Sequence, residues 1–352
     1  MTKRRDLNGE TLGMALLAYC AMVMLMTIAG ASAGWTTASL SQARSGLSAA
    51  STDTAAFFAG GQNVPGVAVT TVDVYNVSSG TWSTKALSAA RFALTGVSVC
   101  GRLAIFAGGY GPTGASKAVD IFNINGVRTN ASLSVARFGL ASASANGWTL
   151  FAGGYSTPST ISSVVDIYNP SSNVWTVAAL SQARHSMGAT GVGPYVLFAG
   201  GDSTAGSSAV VDIYNTATGS WTTASLSFGR RQLAATTVAD VALFAGGING
   251  PTVSSVVDIY NATSNTWSTA SLSVARNRLW ATSVGPLALF GGGYDNNNNQ
   301  KNAVDIYDSR TNTWTTAALS AARMDLTATT AGGRAFFAGG LPTSAVVDIY
   351  TP

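Results

Sequence analysis

Seven copies of one short phrase constrain the fold of this 352-residue chain more than any other feature. An aspartate followed by an aliphatic and then an aromatic residue recurs at intervals of 43 to 47 residues. Self-similarity at a fixed period of about 20–50 residues indicates a repeat architecture, in which each unit buries its apolar face against its neighbours. The repeated aspartates are Asp73, Asp120, Asp166, Asp212, Asp258, Asp305 and Asp348.

Two further motifs keep the same register. The first is Phe-Ala-Gly-Gly, and its glycines are Gly60, Gly61, Gly108, Gly109, Gly153, Gly154, Gly200, Gly201, Gly246, Gly247, Gly292, Gly293, Gly339 and Gly340. The second is a tryptophan followed five residues later by Leu-Ser and then, four residues after the leucine, by an arginine. Its tryptophans are Trp35, Trp82, Trp175, Trp221, Trp267 and Trp314. Because the glycines recur in every unit and the tryptophan in all but one, we interpret these positions as structural.

Each period contains four short segments that are rich in β-branched and aromatic residues and bounded by Gly, Asn, Ser or Pro, a pattern typical of β-strands. Asn146-Gly147 joins two such segments and predicts a type I′ hairpin turn. No segment after the first thirty residues has a helical period. The sequence therefore predicts an all-β fold, a seven-bladed β-propeller of four-stranded antiparallel blades.

The three motifs together resemble the kelch repeat, in which a double glycine follows four hydrophobic residues and precedes a spaced tryptophan. The resemblance covers essentially everything after residue 34. The departures are few: Arg128 replaces the tryptophan in one copy, Gly291 replaces an alanine, and Asp308 replaces an asparagine. The resemblance implies the kelch and galactose-oxidase type of propeller.

The two ends of the repeat region are complementary. The last copy, SAVVDIYTP, has no tryptophan segment after it, whereas GWTTASLSQAR at residue 34 has no aspartate phrase before it. We expect residues 34–40 to pair with the strand at 346–350 and so close the ring. Without this pairing, the sheet would present an exposed edge on each side of the break.

Residues 1–33 have the features of a signal peptide. Lys3, Arg4 and Arg5 precede an apolar stretch at 12–29, and Ala31-Ser32-Ala33 fits a cleavage site. Cleavage there would give a secreted, cell-surface or periplasmic chain whose propeller domain is residues 34–352. The alternative is an uncleaved membrane anchor, since 18 apolar residues are nearly enough to span a bilayer.

The composition argues against most enzymes and against nucleic-acid binding. His185 is the only histidine of the chain, so the copper site of two His and two Tyr that the resemblance to propeller oxidases would imply cannot be built. Residues 34–352 contain no glutamate. Removing residues 1–33 takes three of 19 basic and two of 15 acidic residues, which leaves a net charge of +3 and no basic stripe. We predict no catalytic residues, cofactor or metal, no nucleic-acid partner, and a monomeric ring.

A binding site is expected where the seven copies differ. In a kelch-like ring, the loops after each double glycine and those after each repeat arginine share one face. Arg231 and Arg278 are expected there as paired positive charge for an anionic ligand. The full set of candidates is Arg231, Arg278, His185, Tyr110, Tyr155, Tyr294, Asp202 and Asp295. The predicted function is a protein- or peptide-binding module. The alternatives are a carbohydrate-binding or sugar-processing propeller and a structural surface module without a single pocket.

Overall fold

The computed structural model describes residues 34–352, which form seven four-stranded antiparallel sheets arranged as the blades of a β-propeller. The predicted fold is confirmed, including the absence of helices from this part of the chain. In each blade the chain runs outward from the central axis, and consecutive strands pair with one another. The proposed signal peptide lies outside the described residues.

The blade strands follow in chain order from the innermost to the outermost. Blade 1 comprises Ser48–Ser51, Ala55–Ala59, Thr71–Asn76 and Trp82–Ala86. Blade 2 comprises Thr95–Val99, Leu103–Ala107, Ala118–Asn123 and Arg128–Ser132. Blade 3 comprises Ala141–Ala145, Trp148–Ala152, Val164–Asn169 and Val174–Ala179. Blade 4 comprises Gly188–Val192, Tyr195–Ala199, Val210–Asn215 and Ser220–Ser225. Blade 5 comprises Ala234–Val238, Val241–Ala245, Val256–Asn261 and Thr266–Ser271. Blade 6 comprises Trp280–Val284, Leu287–Gly291, Ala303–Asp308 and Thr313–Ala318. Blade 7 comprises Thr327–Ala331, Arg334–Ala338, Ser344–Thr351 and, as its outermost strand, Gly34–Arg44.

Five two-stranded hairpins project from the second-to-third-strand connections of blades 1 to 5. They are Gln62–Val64 with Val67–Ala68, Tyr110–Gly111 with Gly114–Ala115, Tyr155–Thr157 with Thr160–Ile161, Asp202–Ser203 with Gly206–Ser207, and Ile248–Asn249 with Thr252–Val253.

The ring closes as the sequence predicts. Gly34 pairs with Thr351 and Trp35 with Tyr350, and the antiparallel register continues to Ser39 opposite Val346. The indole of Trp35 lies 5.0 Å from the ring of Tyr350, centroid to centroid. The first described strand therefore completes the last blade, so that neither end of the ring is left as a free edge.

The hydrophobic core lies between adjacent blades. The second strand of each blade is almost completely buried because both of its faces are covered, whereas the outermost strands expose Thr and Ser side chains. Between blades 3 and 4, for example, Leu150 packs in one cluster with Val196 and Phe198. The repeat tryptophans stack on the third strand, as Trp175 does on Tyr168 with ring centroids 4.5 Å apart.

Seven buried ion pairs join each blade to the next. Each repeat arginine is at most 1% exposed and pairs with the repeat aspartate of the following blade. Arg276 Nη2 lies 2.5 Å from Asp305 Oδ2 and also donates to the carbonyl of Phe290 at 2.9 Å. These residues are thus occupied by the scaffold. The pairs are Arg44–Asp73, Arg91–Asp120, Arg137–Asp166, Arg184–Asp212, Arg230–Asp258, Arg276–Asp305 and Arg323–Asp348.

The backbone conformation explains why each repeat has two glycines at this position. Gly246 has a φ of +66°, and a Cβ on it would lie 2.4 Å from the carbonyl oxygen of Arg276 in the adjoining connection. The N–H of Gly247 donates to the same carbonyl oxygen at 3.0 Å. Only glycine combines this conformation with so close an approach of two backbones.

Candidate functional site

Two sets of connections meet at one end of the blades, which we call the upper face. The residue that follows each repeat arginine forms a β-bridge with the residue that follows the next double glycine. The side chains at these positions differ from blade to blade, unlike the repeat residues beneath them. The bridges are Ser45–Gln62, Phe92–Tyr110, Phe138–Tyr155, His185–Asp202, Arg231–Ile248, Asn277–Tyr294 and Met324–Leu341.

Five rings on the upper face form a continuous row across blades 2 to 4, which we call the aromatic arc. Its members are Phe92, Tyr110, Phe138, Tyr155 and His185. The ring centroids of successive members are 5.7, 5.0, 5.3 and 4.2 Å apart. Each side chain is half-buried, so the rings pack on one another and still present surface to a ligand.

The arc ends in a polar cluster. Tyr155 Oη lies 2.7 Å from His185 Nε2, and His185 Nδ1 lies 3.0 Å from Ser186 Oγ. Burial lowers the pKa of His185, the nearby Arg231 acts in the same direction, and Asp202 opposes them. Arg231 Nη1 donates to Asp202 Oδ2 at 3.0 Å, while Asp202 Oδ1 is a buried acceptor that has no hydrogen-bond partner.

Arg278 lies elsewhere, at the mouth of the central cavity. Its Nη1 donates to Asp325 Oδ2 at 3.0 Å, and its guanidinium carbon lies 5.7 Å from the centroid of the Tyr294 ring. Burial raises the pKa of Asp325, and Arg278 opposes this rise. Arg231 and Arg278 are thus each paired with a separate aspartate, and their joint binding of an anionic ligand stays a prediction.

The carboxylate of Asp295 binds groups of the loop in which it lies. Its Oδ2 lies 2.6 Å from Lys301 Nζ, and its Oδ1 accepts the N–H groups of Asn297 and Asn299 at 2.9 and 3.0 Å. The hydrogen bond from Lys301, followed by the backbone hydrogen bond from Asn299, lowers the pKa of Asp295 to about 2. This carboxylate holds the loop that contains Asn296, whose side chain in turn accepts the N–H of Val253 at 2.7 Å.

A ring of seven residues, which we call the collar, surrounds the mouth of the central cavity. Each lies two positions after a repeat arginine and has a φ between +49° and +62°. Neighbouring collar residues are joined by backbone hydrogen bonds, such as those from Arg278 N to Gln232 O at 3.1 Å and from Asp325 N to Arg278 O at 3.2 Å. The collar residues are Gly46, Ala93, Gly139, Ser186, Gln232, Arg278 and Asp325.

Sequence reasoning did not select Phe92, Phe138, Gln232, Trp280 or Asp325. The signal for the two phenylalanines is present in the sequence, because they occupy the position that His185 and Arg231 occupy in later blades. Trp280 begins the innermost strand of blade 6 and reads as an ordinary strand residue. Only the structure places it at the wall of the cavity.

Comparison of the sequence with protein families and curated proteins finds no match. The chain matches no protein-family model, and no curated protein is significantly similar to it. The structure shows a β-propeller, whereas the kelch resemblance rests on the repeat motifs alone. Within residues 34–352 there is no helix long and apolar enough to cross a membrane, and no group of three or more His, Cys, Asp or Glu side chains suited to hold a metal ion.

Proposed function

We propose that this chain is a kelch-type interaction propeller that binds a protein or peptide along the aromatic arc. β-Propellers commonly act as scaffolds for protein interactions. The observation that carries the proposal is the continuity of the five half-buried rings across three blades. Tyrosine and other aromatic side chains are enriched among the anchors of protein interfaces, because they bury large areas at low cost in conformational entropy.

The chemistry of the arc favours a particular type of peptide. The ring faces suit apolar or aromatic side chains of the partner. Asp202 offers little to a partner, because its Oδ2 pairs with Arg231 and its Oδ1 is buried. Because Arg231 is already paired with Asp202, an acidic partner would have to compete for it. The proposed ligand is therefore an apolar segment, and not an anionic ligand.

Selection from a displayed peptide library tests this proposal. Wild-type protein is used for selection and the Phe138→Ala variant for counter-selection, and enriched peptides are then titrated by calorimetry. We expect binding to the wild type that weakens at least about tenfold, or ~1.4 kcal/mol, in Phe138→Ala. Val177→Ala is the matched control, because Val177 is 62% exposed on the outermost strand of blade 3.

The control must bind like the wild type, and the variants must melt like it. A library that yields no binder, or peptides that bind Phe138→Ala equally well, would exclude the arc as a peptide site. A glycan array on the same three proteins tests the carbohydrate alternative. Glycans that bind in the absence of any peptide binder, and are lost in Phe138→Ala, would replace the peptide proposal by that alternative.

We further propose that residues 1–33 are removed and that the propeller is exported. The support is the coincidence of two features at one residue. The cleavage motif ends at Ala33, and the next residue, Gly34, already pairs with Thr351 in the strand that closes the ring. Amino-terminal sequencing of the protein recovered from culture medium should begin at Gly34, whereas membrane-bound protein that retains Met1 would support the anchor alternative.

A further inference from the structure

The central cavity meets the aromatic arc at Phe92 and is large enough for a small molecule. Its volume is about 870 Å³, and it extends from the collar along the innermost strands of all seven blades as far as their fourth residues. Pockets that bind small ligands usually have volumes of about 300–1,000 Å³. Its size and its walls of regular strands make it a candidate small-molecule site in the described part of the chain.

The wall of this cavity combines polar and apolar surface and is almost uncharged. Hydroxyl groups from neighbouring blades line it, and several bond to one another, as Thr190 does to Thr237 at 2.8 Å and Thr282 to Thr330 at 2.9 Å. Among the described residues, the charged side chains that line the cavity are those of Arg278 and Asp325, which neutralise each other. A ligand with a net charge would be buried there without a free counter-charge, which is unfavourable. The wall therefore favours a neutral ligand with many hydroxyl groups.

Trp280 gives the cavity one flat apolar surface. It is 42% exposed, whereas the other seven tryptophans each pack against a hydrophobic core cluster. The six other blades have small residues at the same position, namely Ser48, Thr95, Ala141, Gly188, Ala234 and Thr327. The indole is thus not needed to build a blade, and its position at the upper end of the cavity leaves it available to a ligand.

Three polar residues of the collar hold a backbone conformation that is unfavourable for a residue with a Cβ. Gly46 and Gly139 show that glycine fits the collar position. Gln232, Arg278 and Asp325 adopt the same left-handed conformation, as Ala93 and Ser186 also do, and it costs a residue with a Cβ about 1–2 kcal/mol. Residues held in such conformations are concentrated at ligand sites. The amide, guanidinium and carboxylate offer both donors and acceptors at three successive collar positions, and Trp280 follows Arg278 by two residues in the same cavity lining.

We propose that the upper end of the central cavity binds a neutral pyranose sugar, with Trp280 stacked on one face of the ring and the Gln232, Arg278 and Asp325 side chains hydrogen-bonded to its hydroxyl groups. A pyranose combines an apolar C–H face with hydroxyl groups around its rim, and this is the combination that the indole and the three polar side chains complement. Of the five arc residues, Phe92 also lines the cavity, but it lies between blades 1 and 2, whereas Trp280 is on blade 6. The sugar site is therefore independent of Tyr110, Phe138 and Tyr155.

Saturation-transfer NMR and calorimetry with defined sugars test this site. The probes are methyl glucopyranoside, methyl galactopyranoside and methyl mannopyranoside, with sorbitol as the acyclic polyol and galacturonate as the anionic sugar. We expect at least one methyl pyranoside to bind, with saturation transferred to its ring C–H protons. Trp280→Ala should weaken this binding at least tenfold, and Trp280→Phe should restore much of it. Phe138→Ala, on the arc and outside the cavity, should bind the sugar as the wild type does.

Four outcomes would overturn the proposal. The first is no binding of any methyl pyranoside at concentrations up to about 10 mM, tenfold above a Kd of about 1 mM. The others are unchanged binding in Trp280→Ala, equal binding of sorbitol, and preferential binding of galacturonate. Melting curves show whether Trp280→Ala is folded, and Gln232→Ala, which alters only a polar side chain of the site, provides a second variant. Loss of peptide binding in Phe138→Ala with sugar binding retained would show that the two sites are distinct.

Discussion

Tyr155 and His185, thirty residues apart in the sequence, are joined by a 2.7 Å contact between Oη and Nε2, and their ring centroids lie 4.2 Å apart. The contact links blades 3 and 4 on the upper face, where the aromatic arc meets the pair formed by Asp202 and Arg231. The only histidine of the chain is thus half-buried between a ring and an ion pair, and its protonation is coupled to folding.

Stability should decrease as the pH falls through the titration of His185. Burial lowers the pKa of this residue in the folded state, so the unfolded chain, with a value of about 6.5, binds the proton more tightly. The free energy of unfolding is therefore greatest above about pH 6.5 and falls as the pH decreases toward the folded-state pKa. Melting temperatures between about pH 7.5 and pH 5 should decline more steeply for the wild type than for His185→Gln. Identical slopes would show that His185 does not titrate differently on unfolding.

Breaking one of the seven buried ion pairs should cost far more than breaking a surface pair. Asp212→Asn leaves the fully buried Arg184 without its counter-ion, and we expect the free energy of unfolding to fall by about 3–5 kcal/mol. Asp308→Asn is the matched control, because its partner Arg310 has a side chain that is 69% exposed. Urea unfolding should show a large shift for the first variant and none for the second. Similar midpoints would mean that the repeat pair is not structural.

The architecture follows from the sequence because the repeat encodes it many times. Seven copies fix the number of blades, and the incomplete first and last copies indicate how the ring closes. The sequence left open whether the repeat arginines bond to aspartates or to backbone carbonyls, and the structure shows that Arg276 does both.

The site is less predictable, because it depends on contacts between different copies. Arg231 reaches Asp202 across 29 residues and Arg278 reaches Asp325 across 47, and no local pattern records either pairing. The sequence likewise contains the five rings of the arc but not the distances between them. Trp280 is missed for a different reason, since a tryptophan at the start of a strand is typical of a buried residue and gives no sign that its position faces a cavity.

Alanine at the first repeat glycine should destabilise the ring beyond the cost of the backbone conformation alone. Gly246 and Gly250 both have positive φ, +66° and +55°, but a Cβ at Gly246 would lie 2.4 Å from a carbonyl oxygen, whereas a Cβ at Gly250 would contact nothing within 4 Å. Gly250→Ala should cost about 1–2 kcal/mol. Gly246→Ala should cost clearly more, because two blades must move apart. Equal urea midpoints for the two variants would show that the ring absorbs the close approach without cost.

Removing the closing strand should affect the whole ring. Deletion of residues 34–40 takes the outermost strand from blade 7 and, with Leu40, a buried side chain of the cluster between blades 7 and 1. We expect a lower melting temperature and association through the freed edge, detected by light scattering. Trp35→Ala alone should cost about 2 kcal/mol, less than the ~3–5 kcal/mol typical of a fully buried tryptophan, because Trp35 is only half-buried. An unchanged melting curve and a monomeric deletion variant would contradict this account of closure.

For the ion pair between Arg278 and Asp325 at the cavity mouth, we expect a pH dependence of stability opposite to that of His185. Burial raises the pKa of Asp325, and Arg278 limits the rise, so removal of Arg278 should raise this pKa further. A carboxyl group whose pKa is higher in the folded protein than in the unfolded chain, where it is about 3.9, contributes stability at a pH below 3.9. This contribution is lost as the pH rises through the folded-state pKa. Arg278→Ala should therefore be more destabilising at pH 7 than at pH 4. Adding Asp325→Asn should abolish this difference, because the double variant has no carboxylate to leave unpaired. If urea unfolding gives the same pH dependence for the single and the double variant, Asp325 does not depend on Arg278 for its charge.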